Sequence, residues 1–346
     1  MREGMQIESA SITVAQKIEL LDALSETGLT RIVVGSFVSP KWTPHMKNVD
    51  DVIRGMHPKP GITYLALALN ERGRERMTQH CPPLTLERGL PETHGHMCDI
   101  FIKRNTNRTI EEQVATWPLI VARAKAASRG EGGIGLSAPW GSNWRGPFTR
   151  EQRFGQLQKQ HDVWTQAGIA VTQMTLADPM GWNVPDQVAD DLQLLKQRWP
   201  DLRHFRLHLH NQRGLALASL YAAIRALGPE DELEIDATIG GIGGCPYCGN
   251  GRVAGMAPTE DLVQMLEEMG IPTGVDLYKL VDVVWLATEI IGRPLYGHVS
   301  SAGPLPRGDH LYPADMPFVE TPVEAQHFRL GPSVYEGGLR PWAETS

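Results

Sequence analysis

The sequence predicts a TIM barrel, the (β/α)8 fold of the α/β class. Short apolar runs alternate with helix-length segments along most of the 346 residues. The runs are apolar without polar alternation, which is typical of strands covered on both faces in a parallel sheet. Because the strand and helix pattern repeats along a single chain, it favours a closed barrel over an open, doubly wound sheet.

The candidate elements follow one another in order. The first helix candidate, 14–26, carries Ile18, Leu21 and Leu24 at helical spacing, and Gly28 ends it. The strand candidates are 31–36, 62–69, 97–102, 133–137, 169–176, 205–210 and 233–238. The further helix candidates are 49–56, 109–127, 150–167, 184–198, 215–227, 259–269 and 275–291.

These strand candidates fall one short of a complete (β/α)8 barrel. The shortage is at the N-terminus, where the polar residues 1–6 are typical of a loop that follows a strand. We therefore expect that the natural chain starts upstream, or that its first strand is truncated or missing. We expect the catalytic barrel to span residues 1–298. Residues 299–346, rich in Pro and Gly, are expected to form an irregular C-terminal extension that packs against the barrel or a partner subunit, or is partly mobile.

Composition excludes several classes of protein. The net charge is −7 with a pI near 6.0, and no basic cluster stands out, which excludes nucleic acid and membrane surfaces as partners. The chain has only four cysteines, which is consistent with a reducing compartment. No apolar segment suits a signal peptide or a membrane span. We expect a cytoplasmic enzyme that acts on a small molecule.

A pair of histidines gives the strongest local indication of chemistry. His208 and His210 lie two positions apart on a strand candidate, so both side chains point to the same side. At the carboxyl end of a barrel strand, two imidazoles can bind one metal ion. The alternative is that one histidine forms a local hydrogen bond while the other is exposed.

A glycine-rich segment, 240–247, follows the last strand candidate and contains Cys245. Its glycines allow close approach to a ligand or movement as a lid, and the cysteine can act as an acid or base. Cys245 and Cys248 also form a C-x-x-C pair, for which a redox dithiol or half of a zinc site is the less favoured interpretation. His94 and His96 form a second H-x-H pair, in a stretch where we predict no strand, and we interpret them as structural.

Several of these segments resemble one family in the same order along the chain. Arg-Glu-Gly-Met-Gln at 2–6 resembles the Arg-Asp-Gly-x-Gln motif of the 3-hydroxy-3-methylglutaryl-CoA (HMG-CoA) lyases, within the DRE-TIM metallolyase superfamily. Residues 178–181 resemble its Asp-Thr-Ile-Gly motif, 208–211 its His-x-His-Asp motif and 241–247 its mobile cysteine loop. Further similar segments are 36–42, 105–112 and 259–263. The resemblance covers about residues 1–295 and implies the same barrel.

The resemblance implies a divalent cation, Mg²⁺ or Mn²⁺ with Co²⁺ or Zn²⁺ as alternatives. Its ligands would be Glu3, His208 and His210, and Asn250 is a candidate for the fourth ligand. A carboxylate with two imidazoles suits such an ion. Arg2, next to the cation, would stabilise the enolate formed when a carbon–carbon bond breaks.

The same resemblance implies roles for residues around the substrate. Cys245 would carry a proton, and Asp178 would lie near the reacting hydroxyl. We also expect Gln6, Asn211 and Arg213 to bind substrate.

This chain departs from the family pattern at several positions. Glu3 stands where the lyases have Asp, Val33 where they have an acid, and Met256 where they have an Asn ligand. The loss of one acid and the presence of Arg213 would suit a substrate with an additional carboxylate.

The resemblance implies a carbon–carbon lyase that cleaves a 3-hydroxyacyl-CoA or a related hydroxy acid, and a homodimeric assembly. Alternatives are a Claisen-type synthase that joins acetyl-CoA to a 2-oxo acid, an aldolase for a free acid, and a non-catalytic homologue. The Cys245 loop and the lack of a long regulatory domain favour the lyase. Val33 and Met256 are the residues that favour a non-catalytic homologue.

Overall fold

A computed structural model describes residues 1–41, 43–68, 71–86, 89–249 and 255–342. Its strands are β1 (Arg31–Ser36), β2 (Thr63–Leu67), β3 (Glu92–His96), β4 (Glu131–Ser137), β5 (Gly141–Ser142), β6 (Gly146–Pro147), β7 (Ala170–Asp178), β8 (His204–Leu209) and β9 (Glu232–Ile235). Its α-helices are α1 (Arg2–Met5), α2 (Val14–Ser25), α3 (Val49–Gly55), α4 (Glu71–Thr78), α5 (Asp99–Thr106), α6 (Ile110–Val114), α7 (Trp117–Ala126), α8 (Arg150–Gln166), α9 (Pro185–Arg198), α10 (Ala216–Ala226), α11 (Thr259–Glu268), α12 (Leu277–Ile291), α13 (Val299–Ala302) and α14 (His327–Leu330).

The long strands are parallel and follow chain order in two hydrogen-bonded groups. β1 pairs with β2, and β3, β4, β7, β8 and β9 form a five-stranded sheet. The short strands β5 and β6 form a separate antiparallel hairpin. Helices separate successive long strands, which confirms the predicted α/β class. The carboxyl ends of the parallel strands therefore meet on one side, where barrel enzymes carry their active sites.

The strands β9 and β1 face each other across a cavity of about 560 Å³. Nη2 of Arg31 and Oε1 of Glu234 approach to 3.4 Å between the two strands. The N-terminal helix α1 lies beside this cavity, because Arg2 and Glu3 are among its lining residues. Residues 1–6, predicted as a loop, thus contain a helix, and Met5 is buried on its inner side.

Two large apolar cores hold the elements in place. One joins β4, β7 and β8 to α8, α9 and α10, and its buried side chains include Trp164, Leu192 and Leu207. The other joins α1, α2, α3 and β1 to α12, and includes Leu20 and Leu280. The first core therefore packs on the later strands, β4, β7 and β8, and the second packs on the first strand, β1.

The predicted strand at 97–102 is wrong. The strand there is β3 (Glu92–His96), and residues 99–106 form α5, which begins after Cys98. The amide of Phe101 donates to Cys98 Sγ at 3.4 Å, and Phe101 and Ile102 form the buried face of the helix. β3 was missed because the residues on its inner face are polar, so it lacks the apolar signature of a buried strand.

Two helix predictions also need correction. The segment 109–127 forms two helices, α6 and α7, rather than one. Pro118 lies in the first turn of α7, where its missing N–H and fixed φ are tolerated, although they would interrupt a continuous helix. The helix α4 was not predicted, because its sequence ERGRERMT carries no apolar stripe.

Residues 299–342 contain short helical turns joined by irregular chain. Arg329 stacks over the ring of Trp285 at 4.6 Å, and the amide of Leu305 donates to Gln264, so this segment contacts α12 and α11. The division into a barrel of 1–298 and an extension of 299–346 stays a prediction. None of the helices in the described ranges is both long enough and apolar enough to span a membrane.

Candidate metal centre

A cavity of about 170 Å³ opens at the carboxyl ends of the strands. Its walls come from α1, from the ends of β1, β4 and β8, and from the loop that follows β9. Six residues singled out from the sequence line it, namely Arg2, Glu3, Gln6, His208, His210 and Cys245.

Three potential metal ligands converge in this cavity. The strand β8 directs both histidines inward, and Nε2 of His208 lies 3.3 Å from Nε2 of His210. Oε1 of Glu3 lies 3.6 Å from Nε2 of His210. One ligand atom from each of the three residues can be chosen so that all lie within 4.8 Å of one another. The structure therefore brings together the ligands predicted from segments 200 residues apart in the chain.

The position of Glu3 is fixed from several directions. Arg2 donates a hydrogen bond to Glu3 and another, of 3.2 Å, to Ser36 Oγ at the end of β1. Nε2 of Gln6 donates to Oε1 of Glu3 at 2.7 Å. Burial alone would raise the pKa of the Glu3 carboxyl, but Arg2 and the two histidines hold it below its ordinary value. Glu3 is therefore an ionised ligand at neutral pH.

His210 is also in the protonation state that a metal ligand requires. Burial lowers the pKa of His210 to about 3, so its imidazole is neutral. Nδ1 of His208 donates a hydrogen bond of 2.8 Å to Oδ2 of Asp236, which orients the ring so that Nε2 faces the other ligands. When both imidazoles present a lone pair at Nε2, these two nitrogens and the Glu3 carboxylate lie close enough to share one cation. The three residues thus fit a divalent ion.

The loop with Cys245 packs closely on α1. The turn Ile239–Gly241 begins it, and Gly243 has φ +104°. A Cβ at Gly243 would lie 2.7 Å from the backbone oxygen of Glu3, so glycine is required there. Nε2 of Gln6 also donates to the carbonyl of Gly244 at 3.4 Å. This approach holds Cys245, which is 7 % exposed, at the wall of the cavity.

The C-x-x-C pair is buried in a small apolar cluster. Cys245 and Cys248 lie there with Cys98, Phe101 and Met180. All four cysteines are free thiols in the structure. Burial raises the pKa of the Cys248 thiol, so it stays protonated at neutral pH.

Three other predicted site residues lie outside the cavity lining. Asp178 is fully buried, and its Oδ2 accepts hydrogen bonds of 2.7 Å from both the amide and the side chain of Asn183. Oδ1 of Asn211 accepts from the amide of Ala216 at the start of α10, at 3.0 Å. Arg213 donates to two backbone carbonyls, at 2.9 and 3.0 Å, and stacks on Trp182. Their predicted roles at the substrate stay predictions, and Asn250 lies outside the described residues.

Two features of the site were not predicted from the sequence. Asp236 orients His208, and nothing in its local sequence indicated that role. His94 and His96 lie on strand β3, contrary to our expectation of no strand beneath them. His94 bonds to Ser137, which lines the cavity, whereas His96 bonds to Gln113 at 2.9 Å. The H-x-H spacing was the signal that could have identified β3.

The fold and the ligand cluster define a metal-binding α/β barrel. The chain belongs to the HMGL-like family, whose model matches residues 1–286. It is 32 % identical to hydroxymethylglutaryl-CoA lyase YngG of Bacillus subtilis over 85 % of this chain and 92 % of that protein. It is 31 % identical to the mitochondrial hydroxymethylglutaryl-CoA lyase of Homo sapiens over 87 % of this chain and 86 % of that protein.

Solved structures give the same relationship. An HMG-CoA lyase from Acinetobacter baumannii, in complex with coenzyme A and 3-methylmalate, superposes with a TM-score of 0.70 at 28 % identity, covering 90 % of this chain and 94 % of that chain. The B. subtilis HMG-CoA lyase gives a TM-score of 0.68 at 30 % identity, covering 86 % and 94 %. These matches confirm the family and the TIM-barrel fold that the motifs indicated. The family is metal-dependent, in agreement with the cluster of Glu3, His208 and His210.

Proposed function

We propose that this protein is a divalent-metal-dependent carbon–carbon lyase that cleaves a 3-hydroxyacyl thioester of the HMG-CoA class. The observation that carries the proposal is the convergence of Glu3, His208 and His210 in a cavity that Arg2 and Cys245 also line. Such a cleavage needs a set of ligands for a metal ion, a positively charged side chain such as Arg2 and a thiol such as that of Cys245. Membership of the HMGL-like family supports the same reaction.

The cleavage breaks the bond between C2 and C3 of the substrate. The C3 hydroxyl loses its proton and becomes a carbonyl, and the bonding electrons pass to C2 as a thioester enolate, which then takes up a proton. When bound, the divalent cation supplies Lewis-acid polarisation of substrate oxygens, and we expect Mg²⁺ or Mn²⁺. Arg2 stabilises the negative charge of the enolate oxygen, because its guanidinium lines the cavity. Cys245 donates the proton to C2, and the products are an acetyl thioester and a ketone or keto acid.

The acyl group of the substrate is carried by coenzyme A in this proposal. The bound coenzyme A and 3-methylmalate in the related A. baumannii structure support this substrate class. Arg213 does not favour the additional substrate carboxylate considered from the sequence, because its guanidinium already donates to the carbonyls of Met180 and Gly181. Gln6 and Asn211 are proposed to position the substrate, and Asp178, which lies between the cavity-lining residues Ala177 and Pro179, is proposed to lie near the reacting hydroxyl.

The test is turnover of a panel of branched 3-hydroxyacyl-CoA esters by protein loaded with Mg²⁺ or Mn²⁺, before and after treatment with EDTA. We expect cleavage to acetyl-CoA that EDTA abolishes and added cation restores. His208→Ala should lose both cation binding and turnover, whereas His204→Ala should retain both, because His204 lies at the opposite end of β8, outside the cavity lining, with its side chain 46 % exposed. Cation binding without cleavage of any ester in the panel would refute this proposal.

The thiol has its own matched control. Cys245→Ser should lower kcat with little effect on cation affinity, because Cys245 is not one of the cation ligands. Cys81→Ser should leave turnover unchanged, because Cys81 is absent from the cavity lining. Equal activity of wild type and Cys245→Ser would remove Cys245 from the reaction.

The assembly and the location in the cell are also part of the proposal. We expect a homodimer, which sedimentation velocity would test. Large apolar side chains of the C-terminal segment are more than half exposed, among them Leu305, Leu311 and Phe318, and offer a contact surface. A cytoplasmic location is expected from the four free thiols.

A further inference from the structure

A hydrogen-bonded chain of three side chains ends in the same cavity. Oε1 of Glu92 lies 3.0 Å from Nδ1 of His94, and Nε2 of His94 lies 2.9 Å from Oγ of Ser137. Glu92 and His94 lie on β3 and Ser137 at the end of β4. Ser137 lines the cavity together with His208 and Cys245. The order acid, imidazole, hydroxyl is the arrangement by which proteins activate a serine.

The neighbouring strand leaves space for this chain. Gly135 on β4 is paired with His94 in the parallel register. A Cβ at Gly135 would lie 2.3 Å from Nδ1 of His94 and 2.6 Å from Oε1 of Glu92. Any other residue at this position would therefore displace the pair, so the arrangement is built into the sheet.

The hydrogen bonds define where the protons lie. Burial alone would raise the pKa of Glu92, but His94, Thr175 and Gln173 lower it below its ordinary value, with hydrogen bonds from Thr175 and Gln173 of 2.6 and 3.0 Å. An ionised carboxylate can only accept, so Nδ1 of His94 carries the proton. In this tautomer Nε2 accepts the hydrogen bond of the Ser137 hydroxyl. The lone pairs of Ser137 Oγ remain available to a ligand in the cavity.

The other titratable groups around His94 are neutral or already paired. The ring of His96 lies 5.6 Å away and stays neutral, because burial lowers its pKa to about 3. On β8, the cation Arg206 is already paired with Asp236, at 3.0 Å, and with Glu234. The ionised Glu92 is thus the group in direct contact with His94 that carries a charge.

We propose that Ser137 is a catalytic residue and that His94, oriented by Glu92, is the base that acts through it. Oγ of Ser137 takes the proton of the substrate's C3 hydroxyl while it passes its own proton to Nε2 of His94. The C3–O bond becomes a carbonyl as the C2–C3 bond breaks. After the products leave, the His94 imidazolium releases its proton to water, and the thiolate left at Cys245 takes one up.

This assignment rests on the proposed lyase function. It supplies a base for the proton of the C3 hydroxyl, which the proposed function needs and did not yet identify. Nε2 of His208 and Nε2 of His210 belong to the cluster of metal ligands, so with a cation bound they are not free to accept the substrate proton. Outside that cluster, Ser137 is a cavity-lining side chain that is hydrogen-bonded to an imidazole.

The test compares Ser137→Ala, Ser137→Thr, His94→Gln and the double variant Ser137→Ala/His94→Gln in the metal-loaded enzyme. We expect Ser137→Ala and His94→Gln each to lower kcat by about 100-fold or more, with KM and cation affinity little changed. The double variant should be no slower than either single variant, because both changes interrupt one chain. Ser137→Thr, which keeps the hydroxyl, should restore most of the activity.

His204→Gln is the matched control, because His204 forms a similar pair with a glutamate. Its Nδ1 lies 2.9 Å from Oε2 of Glu232, at the start of β8. It should keep the wild-type kcat. The inference is overturned if Ser137→Ala turns over at the wild-type rate, or if the wild type releases free coenzyme A and intact hydroxy acid, which would make Ser137 an acyl nucleophile instead. Failure of the proposed function is distinguishable, because it would appear as a wild type that does not cleave the ester.

Discussion

Nδ1 of His208 lies 2.8 Å from Oδ2 of Asp236, across the carboxyl ends of two neighbouring strands. Burial alone would raise the pKa of Asp236, but His208 and Arg206 lower it, so the carboxylate is ionised and accepts a hydrogen bond from Nδ1–H of His208. This hydrogen bond fixes both the tautomer and the ring orientation of His208. It therefore prepares Nε2 for the cation before the cation arrives.

Asp236→Asn should weaken cation binding by about 10- to 100-fold, the usual effect of losing such a partner. The variant removes the negative charge that holds the proton on Nδ1, while the size of the side chain stays the same. Titration calorimetry of metal-free protein with Mn²⁺ would measure the change. Glu232→Gln, which affects the equivalent contact of His204, is the control. An Mn²⁺ affinity that is unchanged in Asp236→Asn would contradict this role.

Gly243→Ala should disturb the contact between the cysteine loop and α1. The added Cβ would lie 2.7 Å from the backbone oxygen of Glu3, and φ of +104° is unfavourable for alanine. We expect a loss of about 1–3 kcal/mol in the free energy of unfolding, together with weaker cation binding because Glu3 must move. Urea denaturation and Mn²⁺ titration would measure both effects.

Gly249→Ala separates backbone strain from the clash with Glu3. Gly249 also has positive φ, but among the residues that the structure describes a Cβ there would contact only Trp144, at an ordinary 3.8 Å. This variant should lose stability without losing cation affinity. If both variants bound Mn²⁺ equally well, the approach of the loop to Glu3 would have no effect on the metal site.

The sequence predicted most of the fold because hydrophobic periodicity reports burial. It failed at β3, where Glu92, His94 and His96 face the inside of the barrel as polar groups, while Phe101 and Ile102 form a helix face that imitated a strand. The error arises near the functional site, because polar residues on the inner face of β3 replace the apolar pattern by which a buried strand is predicted.

The site could be predicted where its residues are marked by local spacing or by a motif. His208 and His210 are two apart on one strand, and Glu3 and Cys245 fall in segments that resemble a family. Asp236 could not be found in this way, because its role arises from a contact with His208 on a neighbouring strand 28 positions away. Arg213 was predicted at the substrate from sequence position, yet its hydrogen bonds go to backbone carbonyls.

Arg153→Met should cost about 3–5 kcal/mol of unfolding free energy, because it would leave the buried Asp191 carboxylate without its main partner. Nε and Nη2 of Arg153 donate to Asp191 at 2.8 and 2.9 Å, and both side chains are almost fully buried. Urea denaturation would measure the loss. Arg145→Met, which breaks a half-exposed pair with Asp99, should have little effect. Similar losses in the two variants would show that burial does not decide the strength of these pairs.

Glu260 predicts a pH dependence of stability. Its carboxyl is buried where α11 begins, next to the turn that opens the cysteine loop, and Oε2 accepts the amide hydrogen of Gly240 at 2.9 Å. Burial raises the pKa of Glu260 from 4.5 to about 7. A raised pKa means that the folded protein holds this proton more tightly than the unfolded chain does. The resulting stabilisation is complete below pH 4.5, declines as the pH rises towards 7, and is absent above that value.

Glu260→Gln removes the titration but keeps the shape of the side chain. Relative to wild type, its free energy of unfolding should therefore increase by about 2–3 kcal/mol between pH 5 and pH 8, as urea denaturation at the two values would show. Glu267→Gln on the same helix is the control with the opposite sign, because hydrogen bonds from Thr273 lower the pKa of Glu267. Its stability relative to wild type should not increase with pH. If the difference between Glu260→Gln and wild type were equal at both pH values, Glu260 would have the same affinity for its proton in the folded and unfolded protein, and burial beside Gly240 would not disfavour its charge.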